Sequence, residues 1–401
     1  MDRSTLTVSK NCTSERLTAR RTERSAVVLA AGKGTRFRSK IPKVLHPLCG
    51  RPMIVYLLDV LKQLSIDEPI IVVGEGAELV RSALAGYGVQ FVLQREQLGT
   101  GHAVQCAVPL LETRAGNVLV LYGDTPFAPR EALEQLFSEC DQGAAEALLT
   151  VELEDPSGNG RILRNTEGDV VDIIEEKDAD GYQKQIREVN AGFACFRVQD
   201  LLEYLPSLRN DNAAGEFYLT DMVRILHQAG KRVRAVRLEK SDDVVTINDR
   251  VQLAAAERRV RRRIATHWML RGVTMTSPES CLIEPSVSIG ADSVLEDGVI
   301  LRGKTSIGEG SCIGAYTTVR DSQIGDKVSI GSHCVVSSST IGSGTTIESA
   351  VTVEAGSAIG SNCTLGTRTR IRGGKLDDGT VLDCTAARED AEGTLKKRKA
   401  R

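Results

Sequence analysis

The sequence predicts two folded domains, an α/β domain with a mostly parallel sheet and then a parallel β-helix. Between residues 25 and 248, short apolar runs alternate with segments of helical period, which indicates βαβ units around a largely parallel sheet. After Cys281, aliphatic residues instead recur about every six positions, which is typical of a β-helix. A chain of 401 residues is long enough for two separate cores.

Apolar segments define the expected elements of the first domain. Residues 26–31, 69–73, 89–93 and 118–121 are predicted strands, and residues 52–64 are a predicted helix. Ligands of parallel sheets bind at the carboxyl ends of the strands. The loops that follow these strands are therefore the expected place for a site.

Residues 249–271 carry a helical apolar stripe and predict a helix that links the two domains. The stripe is surrounded by Arg258, Arg259, Arg261, Arg262 and Arg263. A solvated helix face explains these arginines better than a nucleic-acid-binding arm, because nothing else in the chain combines basic and aromatic residues.

One aliphatic residue occupies each hexad of residues 281–384. The series is Ile283, Ile289, Leu295, Leu301, Ile307, Ile313, Val319, Ile324, Ile330, Val336, Ile341, Ile347, Val353, Ile359, Leu365, Ile371, Leu376 and Leu382. A triangular coil with one hexad on each side accounts for this period and gives about six coils. Periods of 2 or 3.6 do not persist in this region.

Charge and composition exclude several classes of protein. The 51 Lys and Arg against 53 Asp and Glu exclude a general nucleic-acid coat. No apolar stretch predicts a membrane span or a signal peptide, so no membrane partner is expected. Ten cysteines without a CxxC pair predict reduced, packed thiols and a cytoplasmic location.

Residues 1–24 and 385–401 are predicted to be disordered, because neither segment has enough apolar side chains to bury. A transit peptide is the alternative for the first segment. Its acidic residues, Asp2, Glu15 and Glu23, argue against that alternative.

A glycine-rich loop follows the first predicted strand and is suited to phosphate binding. It contains Ala30, Ala31, Gly32, Lys33, Gly34, Thr35 and Arg36, and Lys43 follows it. Glycines let backbone amides approach an anion, and Arg36 and Lys43 add positive charge. The loop matches neither the P-loop nor the dinucleotide fingerprint, and alone it is compatible with a structural βα turn.

This loop and six later motifs resemble, in their order, the nucleotidylyltransferases that join sugar 1-phosphates to nucleoside triphosphates. More narrowly, they resemble the bacterial N-acetylglucosamine-1-phosphate uridylyltransferases of the GlmU family. The matching segments are 29–37 with 41–46, 92–103, 122–126, 160–162, 175–177, 188–190 and 215–221. The resemblance implies a Rossmann-like nucleotidylyltransferase domain and a left-handed β-helix of hexapeptide repeats.

The resemblance also implies transfer of UMP from UTP to N-acetylglucosamine 1-phosphate with Mg²⁺ as cofactor. Arg36 and Lys43 would contact the triphosphate, together with Ala30, Ala31, Gly32, Gly34 and Thr35 of the loop. Asp124 and Asn248 would hold the metal, which favours oxygen ligands. Structural alternatives are a turn for Asp124 and the N-cap of the linker helix for Asn248.

Further residues would bind the base and the sugar in such a family member. Gln94, Gly99 and Thr100 would recognise uracil, although Thr100 could instead cap a helix. The remaining substrate-binding residues would be Tyr122, Gly160, Glu175, Asn190, Tyr218 and Thr220, most of them in the sugar pocket. His46 and His102 lie inside the motifs, but we expect them only to pack or to hydrogen-bond to backbone.

The β-helix departs from the family pattern. The family's acetyl transfer depends on a His-Val-Gly-Asn-Phe loop and an Asn-Tyr-Asp-Gly stretch, and this sequence has neither. After Cys281 the only histidine is His333 and the only tyrosine is Tyr316, and the repeat ends near Cys384, earlier than a complete acetyltransferase needs. We therefore expect a platform for a homotrimer rather than an acetyltransferase.

Two other functions stay open at this point. One is a related nucleotidylyltransferase with a different sugar or base, and segments 97–103 and 215–221 favour the N-acetylglucosamine type over it. The other is a non-catalytic sensor of sugar nucleotides. The complete set of Arg36, Lys43, Asp124 and Asn248 argues against a sensor, which does not need it.

Overall fold

The computed structural model describes residues 22–127, 129–239 and 246–383. The predicted terminal extensions lie outside the described residues, except for residues 22–24. The first strand begins at Arg24, within the segment predicted to be disordered, and the Arg24 guanidinium binds Glu134 at 2.7 Å and lies over the Phe137 ring.

The α/β domain is built on a nine-stranded sheet. Its elements are β1 (Arg24–Ala30), β2 (Pro47–Leu48), β3 (Arg51–Pro52), α1 (Met53–Gln63), β4 (Ile70–Val73), α2 (Ala77–Ala83), β5 (Gln90–Leu93), α3 (Thr100–Leu111), β6 (Asn117–Tyr122), α4 (Arg130–Asp141), β7 (Glu146–Glu152), β8 (Arg161–Arg164), β9 (Val170–Ile174), β10 (Glu188–Arg197), α5 (Val198–Tyr204), α6 (Asp221–Gln228) and β11 (Val233–Leu238). The small pair β2 and β3 lies outside the main sheet.

The main sheet has the order β11-β7-β10-β6-β1-β4-β5, with β8 and β9 attached to β10. Strand β1 runs parallel to β4 and β6, as predicted, and so do β4 with β5 and β7 with β11. Strand β10 is antiparallel to β6 and β7, and its register with β7 shifts between Asn190 and Ala194. The shift bends β10 beside the carboxyl end of β6.

Both faces of the sheet are buried. In β1, Ala26 and Val28 belong to one apolar cluster and Val27 to another. A strand that is covered on both faces has no polar side, which explains the continuous apolar runs of the sequence.

Helix α7 (Arg250–Met269) connects the two cores. Ala256 and Val260 pack with Phe37 and Met53 of the α/β domain, whereas Ala265 packs into the β-helix. The structural alternative for Asn248, the N-cap of this helix, is wrong, because the N-cap is Asp249, whose carboxylate accepts from the backbone N–H of Gln252 at 2.8 Å.

The region that follows is the predicted left-handed parallel β-helix, with three parallel sheets of seven, six and six strands. The strands are β12 (Thr274–Met275), β13 (Leu282–Ile283), β14 (Ser288–Ile289), β15 (Val294–Leu295), β16 (Ile300–Arg302), β17 (Ser306–Ile307), β18 (Cys312–Ile313), β19 (Thr318–Arg320), β20 (Gln323–Ile324), β21 (Ser329–Ile330), β22 (Val335–Ser337), β23 (Thr340–Ile341), β24 (Thr346–Ile347), β25 (Thr352–Val353), β26 (Ser357–Ile359), β27 (Thr364–Leu365), β28 (Arg370–Ile371), β29 (Gly374–Leu376) and β30 (Val381–Leu382). The repeating aliphatic residues point inward, as Leu295, Ile313 and Leu365 show by being fully buried. Strand β12 lies before residue 281, where the repeat was expected to begin, and pairs with β15.

None of the helices in the described ranges is both long enough and apolar enough to cross a membrane. The eight cysteines that the structure describes are all free thiols, as the sequence predicted.

Candidate active site

The glycine-rich loop lies at the carboxyl end of β1. Gly34 has a φ of +57°, and a Cβ atom there would lie 3.0 Å from the Cβ of Lys43, so glycine lets the loop lie against Lys43. Phe37 is buried, with its ring 4.7 Å from that of His46, and it anchors the loop. Arg36 remains exposed on the loop.

His46 has the packing role that the sequence predicted. Burial, together with the positive charge of Arg250, lowers its pKa. The ring is therefore neutral near pH 7, and it packs against the Phe37 ring.

Three residues that are distant in sequence meet beside this loop. The ammonium of Lys43 lies 2.5 Å from Oδ2 of Asp124 and 3.0 Å from Oδ1 of Asn248. Asp124 lies two residues after the end of β6, and its carbonyl accepts from the backbone N–H of Ile247 at 2.9 Å, which brings Asn248 alongside. Because Asp249 caps α7, the Asn248 side chain is available to face Lys43.

One carboxylate oxygen, from Asp124, and one carboxamide oxygen, from Asn248, thus contact the same ammonium group of Lys43. Among the described residues, no group of three or more His, Cys, Asp or Glu side chains could hold a metal. Mg²⁺ keeps several waters and often binds through one or two protein oxygens plus substrate phosphates. Asp124 and Asn248 together fit that mode of binding.

The segment predicted to bind the base is held in place by segment 215–221. The backbone N–H of Gly101 donates to the Phe217 carbonyl at 2.7 Å, and that of Phe217 donates to the Leu98 carbonyl at 2.8 Å. Gly99 has a φ of +112°, and a Cβ atom there would lie 2.5 Å from the Phe217 carbonyl oxygen, so only glycine fits. The side chain of Gln94 is buried in this segment and donates to the Gly99 carbonyl at 3.1 Å.

Thr100 does not cap α3. The N-cap is Gly99, and the Thr100 hydroxyl accepts from the backbone N–H of Leu219 at 3.0 Å. Thr100 therefore joins the two segments.

The residues predicted for the sugar pocket are neighbours. The backbone N–H of Asn190 donates to the Gly160 carbonyl at 2.9 Å, and the Thr220 hydroxyl donates to Oε1 of Glu175 at 2.9 Å. Tyr122, Asn190 and Thr220 line a common cavity of about 20 Å³. Burial raises the pKa of Glu175, and the hydrogen bond from Thr220 opposes that shift.

Tyr218 lies beside Glu175 in a wider cleft of about 640 Å³ that also contains Asp178 and Asp221. Burial and the negative charge of Asp178 raise the pKa of Tyr218 to about 12, so its hydroxyl stays protonated. The residues predicted to bind the base, the sugar and the phosphates thus lie around the carboxyl ends of β1, β5 and β6.

Two groups near the site have contacts that were not predicted from the sequence, since His102 was expected only to pack or to hydrogen-bond to backbone and Glu146 was not assigned a role. His102 contacts the Gln94 side chain. Its place in segment 92–103, which is predicted to bind the base, was the sequence feature that could have indicated this contact. Glu146 is buried and lines the cavity that also contains Tyr122. Its position at the start of an apolar run was the sequence feature that could have indicated a buried carboxyl group.

Comparison with known proteins identifies the family. Residues 26–274 match the model of the MobA-like NTP transferase domain. The chain is 40% identical over 368 residues to the bifunctional protein GlmU of Brevibacillus brevis, a match that covers 92% of this chain and 79% of that protein. The chain belongs to the GlmU family.

Two further GlmU relatives agree. Identity is 44% over 308 residues with the bifunctional protein GlmU of Halalkalibacterium halodurans, covering 77% of this chain and 68% of that protein. Identity is 40% over 361 residues with the bifunctional protein GlmU of Enterococcus faecalis, covering 90% of this chain and 78% of that protein. The resemblance is confirmed, and this member of the GlmU family is an enzyme, a nucleotidyltransferase.

Proposed function

We propose that this chain transfers UMP from UTP to N-acetylglucosamine 1-phosphate and releases pyrophosphate. The convergence of Lys43, Asp124 and Asn248 beside the glycine-rich loop carries the proposal. A cation-binding pair of oxygens next to a phosphate-binding loop is what a nucleotidyl transfer requires, because the reaction concentrates negative charge at the α-phosphate.

The chain's own residues bind and orient the substrates. Backbone amides after β1, with Arg36 and Lys43, hold the triphosphate. Segment 94–100 holds the base. Glu175, Asn190 and Thr220 direct hydrogen-bonding groups toward the sugar, and buried polar groups of this kind discriminate between sugars.

In the reaction, an oxygen of the sugar phosphate attacks the α-phosphorus of UTP. A P–O bond forms to the sugar phosphate as the bond to pyrophosphate breaks, so no protein nucleophile is needed. Mg²⁺ bound by Asp124 and Asn248 would supply positive charge to the phosphates. Lys43 neutralises Asp124 and holds it in place for this role.

For the β-helix we propose a platform for trimer assembly without acetyl transfer. His333 follows the regular coil, since its backbone N–H donates to the Ala315 carbonyl at 2.9 Å. Its ring stacks on Tyr316 in the previous coil at a centroid distance of 5.4 Å. A histidine held in this way on a corner of the coil is not an inserted loop that reaches a neighbouring chain.

An assay with separate substrates tests the transferase proposal. Purified protein with Mg²⁺ is given UTP, dTTP, ATP or CTP, each with N-acetylglucosamine 1-phosphate or glucose 1-phosphate, and pyrophosphate release is followed. We expect the highest kcat/KM for UTP with N-acetylglucosamine 1-phosphate. A higher value for dTTP or ATP with glucose 1-phosphate contradicts the proposed substrates.

A second assay tests the β-helix. We expect no thiol release from acetyl-CoA with glucosamine 1-phosphate above a heat-inactivated control. Turnover that disappears in His333→Ala would restore a second activity.

A further inference from the structure

The side-chain amide of Gln94 has a fixed orientation. Its nitrogen lies 3.1 Å from the Gly99 carbonyl oxygen. Because a backbone carbonyl can only accept a hydrogen bond, the atom that faces it must be the NH₂ group and not the oxygen. Gln94 is also held by its backbone, whose N–H donates to the Val73 carbonyl at 2.8 Å.

The second N–H of this amide is taken by His102. The amide nitrogen lies 3.1 Å from Nδ1 of His102. Nδ1 therefore carries a lone pair, and the proton of the neutral ring is on Nε2, which faces Sγ of Cys106 at 3.9 Å. Helix α3 places His102 and Cys106 one turn apart, and the Phe217 ring lies 6.5 Å from the His102 ring.

Both donors of the Gln94 amide are thus engaged, and no described residue donates to its oxygen. A site that offers an acceptor suits uracil, whose N3 carries a proton. Cytosine presents an unprotonated N3 at the same position, so acceptor would face acceptor.

We propose that His102 is a positioning residue for base selection, which holds the Gln94 amide so that only its oxygen is presented to the base. The inference rests on the proposed function, because it concerns how UTP is chosen. His102 acts through Gln94 and does not itself contact the nucleotide.

Two variants separate the hydrogen bond of His102 from its packing. His102→Phe keeps a ring against Phe217 but has no acceptor. His102→Asn loses the ring but can place Oδ1 where Nδ1 stood. The readout is the ratio of kcat/KM for UTP to that for CTP, with KM and kcat for UTP determined separately. His227→Phe, at an exposed position of α6, is the matched control.

We expect His102→Phe to lower the UTP/CTP ratio about tenfold, as loss of one buried hydrogen bond does, through a higher KM for UTP with kcat nearly unchanged. His102→Asn should keep most of the ratio. The reverse order, with Phe retaining selectivity and Asn losing it, overturns the inference, because packing alone would then explain His102.

Two further outcomes are informative. If His102→Phe does not fold, His102→Ala replaces it, since Ala and Asn both lack the ring and only Asn has the acceptor. Equal UTP/CTP ratios for Ala and Asn then overturn the inference. A wild-type enzyme that does not prefer UTP over CTP contradicts the proposed function itself. This outcome can be told apart from failure of the inference, because it is seen in the wild type without any variant.

Discussion

The ammonium of Lys43 lies 2.5 Å from a carboxylate oxygen of Asp124, at the carboxyl edge of the sheet and next to the glycine-rich loop. Asn248 adds a second oxygen at 3.0 Å. The pair joins the loop proposed to bind phosphate to the oxygens proposed to bind a metal, and its disruption should therefore affect both.

Replacing Lys43 with Met keeps the side-chain length and removes the charge. We expect the KM for UTP to rise ten- to hundredfold, the range for loss of a hydrogen bond to a charged group. Lys40→Met, at an exposed position three residues before Lys43, is the control and should stay within twofold of the wild type. Equal KM values for the wild type and Lys43→Met would remove Lys43 from the triphosphate site.

Thr220→Val removes the hydroxyl that donates to Glu175 without changing side-chain shape. Because Glu175 is buried, losing this hydrogen-bond donor raises the pKa of Glu175 further. The Glu175 carboxyl group is then no longer held in place to bind the sugar. We expect KM for the sugar phosphate to rise about fivefold, with KM for UTP unchanged. The exposed Thr166→Val serves as control, and equal rises in both KM values would contradict a role in the sugar pocket.

Glu146 predicts a pH dependence of stability. Its Oε2 has no hydrogen-bond partner among the described residues, and burial raises its pKa well above the ordinary value. The folded state therefore binds this proton more tightly than the unfolded state does. Stability contributed by the protonated carboxyl is lost as pH rises from about 4, the ordinary pKa, toward the folded-state pKa.

Glu146→Gln cannot ionise, and it should be more stable than the wild type by about 1–3 kcal/mol at pH 8. The difference should shrink as pH falls toward 4. Thermal unfolding of both proteins across this range measures it, with the exposed Glu112→Gln as control. A wild type that is as stable as Glu146→Gln at pH 8 would show that Glu146 has a partner.

The β-helix should assemble the chain into a homotrimer. On its second sheet, the outer positions of the first four strands are Leu282, Ile300, Thr318 and Val335, and Val335 is 41% exposed. A sheet face that carries aliphatic and threonine side chains is suited to association. Light scattering should give three times the chain mass at micromolar concentration, and a monomer would contradict this prediction.

Much of the architecture could be predicted because it depends on local periodicity. The six-residue repeat places Leu295 and Ile313 inside the β-helix, and apolar runs mark β1 and β6. The antiparallel direction of β10 could not be predicted in this way, because strand direction depends on pairing partners that are distant in sequence.

The resemblance named Lys43 and Asp124 as candidate site residues, and the sequence could not show that they contact each other. They are 81 residues apart, and only the folded sheet brings them together. An N-cap was the structural alternative to a metal-binding role for Asn248, and the sequence did not separate the two residues because Asn and Asp cap helices equally well. The structure gives the N-cap to the next residue, Asp249. The partner of His102 depends on the turn at Gly99, which sequence spacing does not specify.

Asp124 and Lys43 are proposed to form the centre of uridylyl transfer. The most direct measurement is the rate of UDP-N-acetylglucosamine formation from saturating UTP, Mg²⁺ and N-acetylglucosamine 1-phosphate in the wild type, Asp124→Ala and Asp67→Ala. Asp67 is exposed and precedes β4, at the opposite edge of the sheet. We expect Asp124→Ala to lower kcat at least a hundredfold, since a metal carboxylate contributes several kcal/mol to charge stabilisation, while Asp67→Ala keeps the wild-type kcat. A folded Asp124→Ala protein with a kcat close to that of the wild type would contradict the claim.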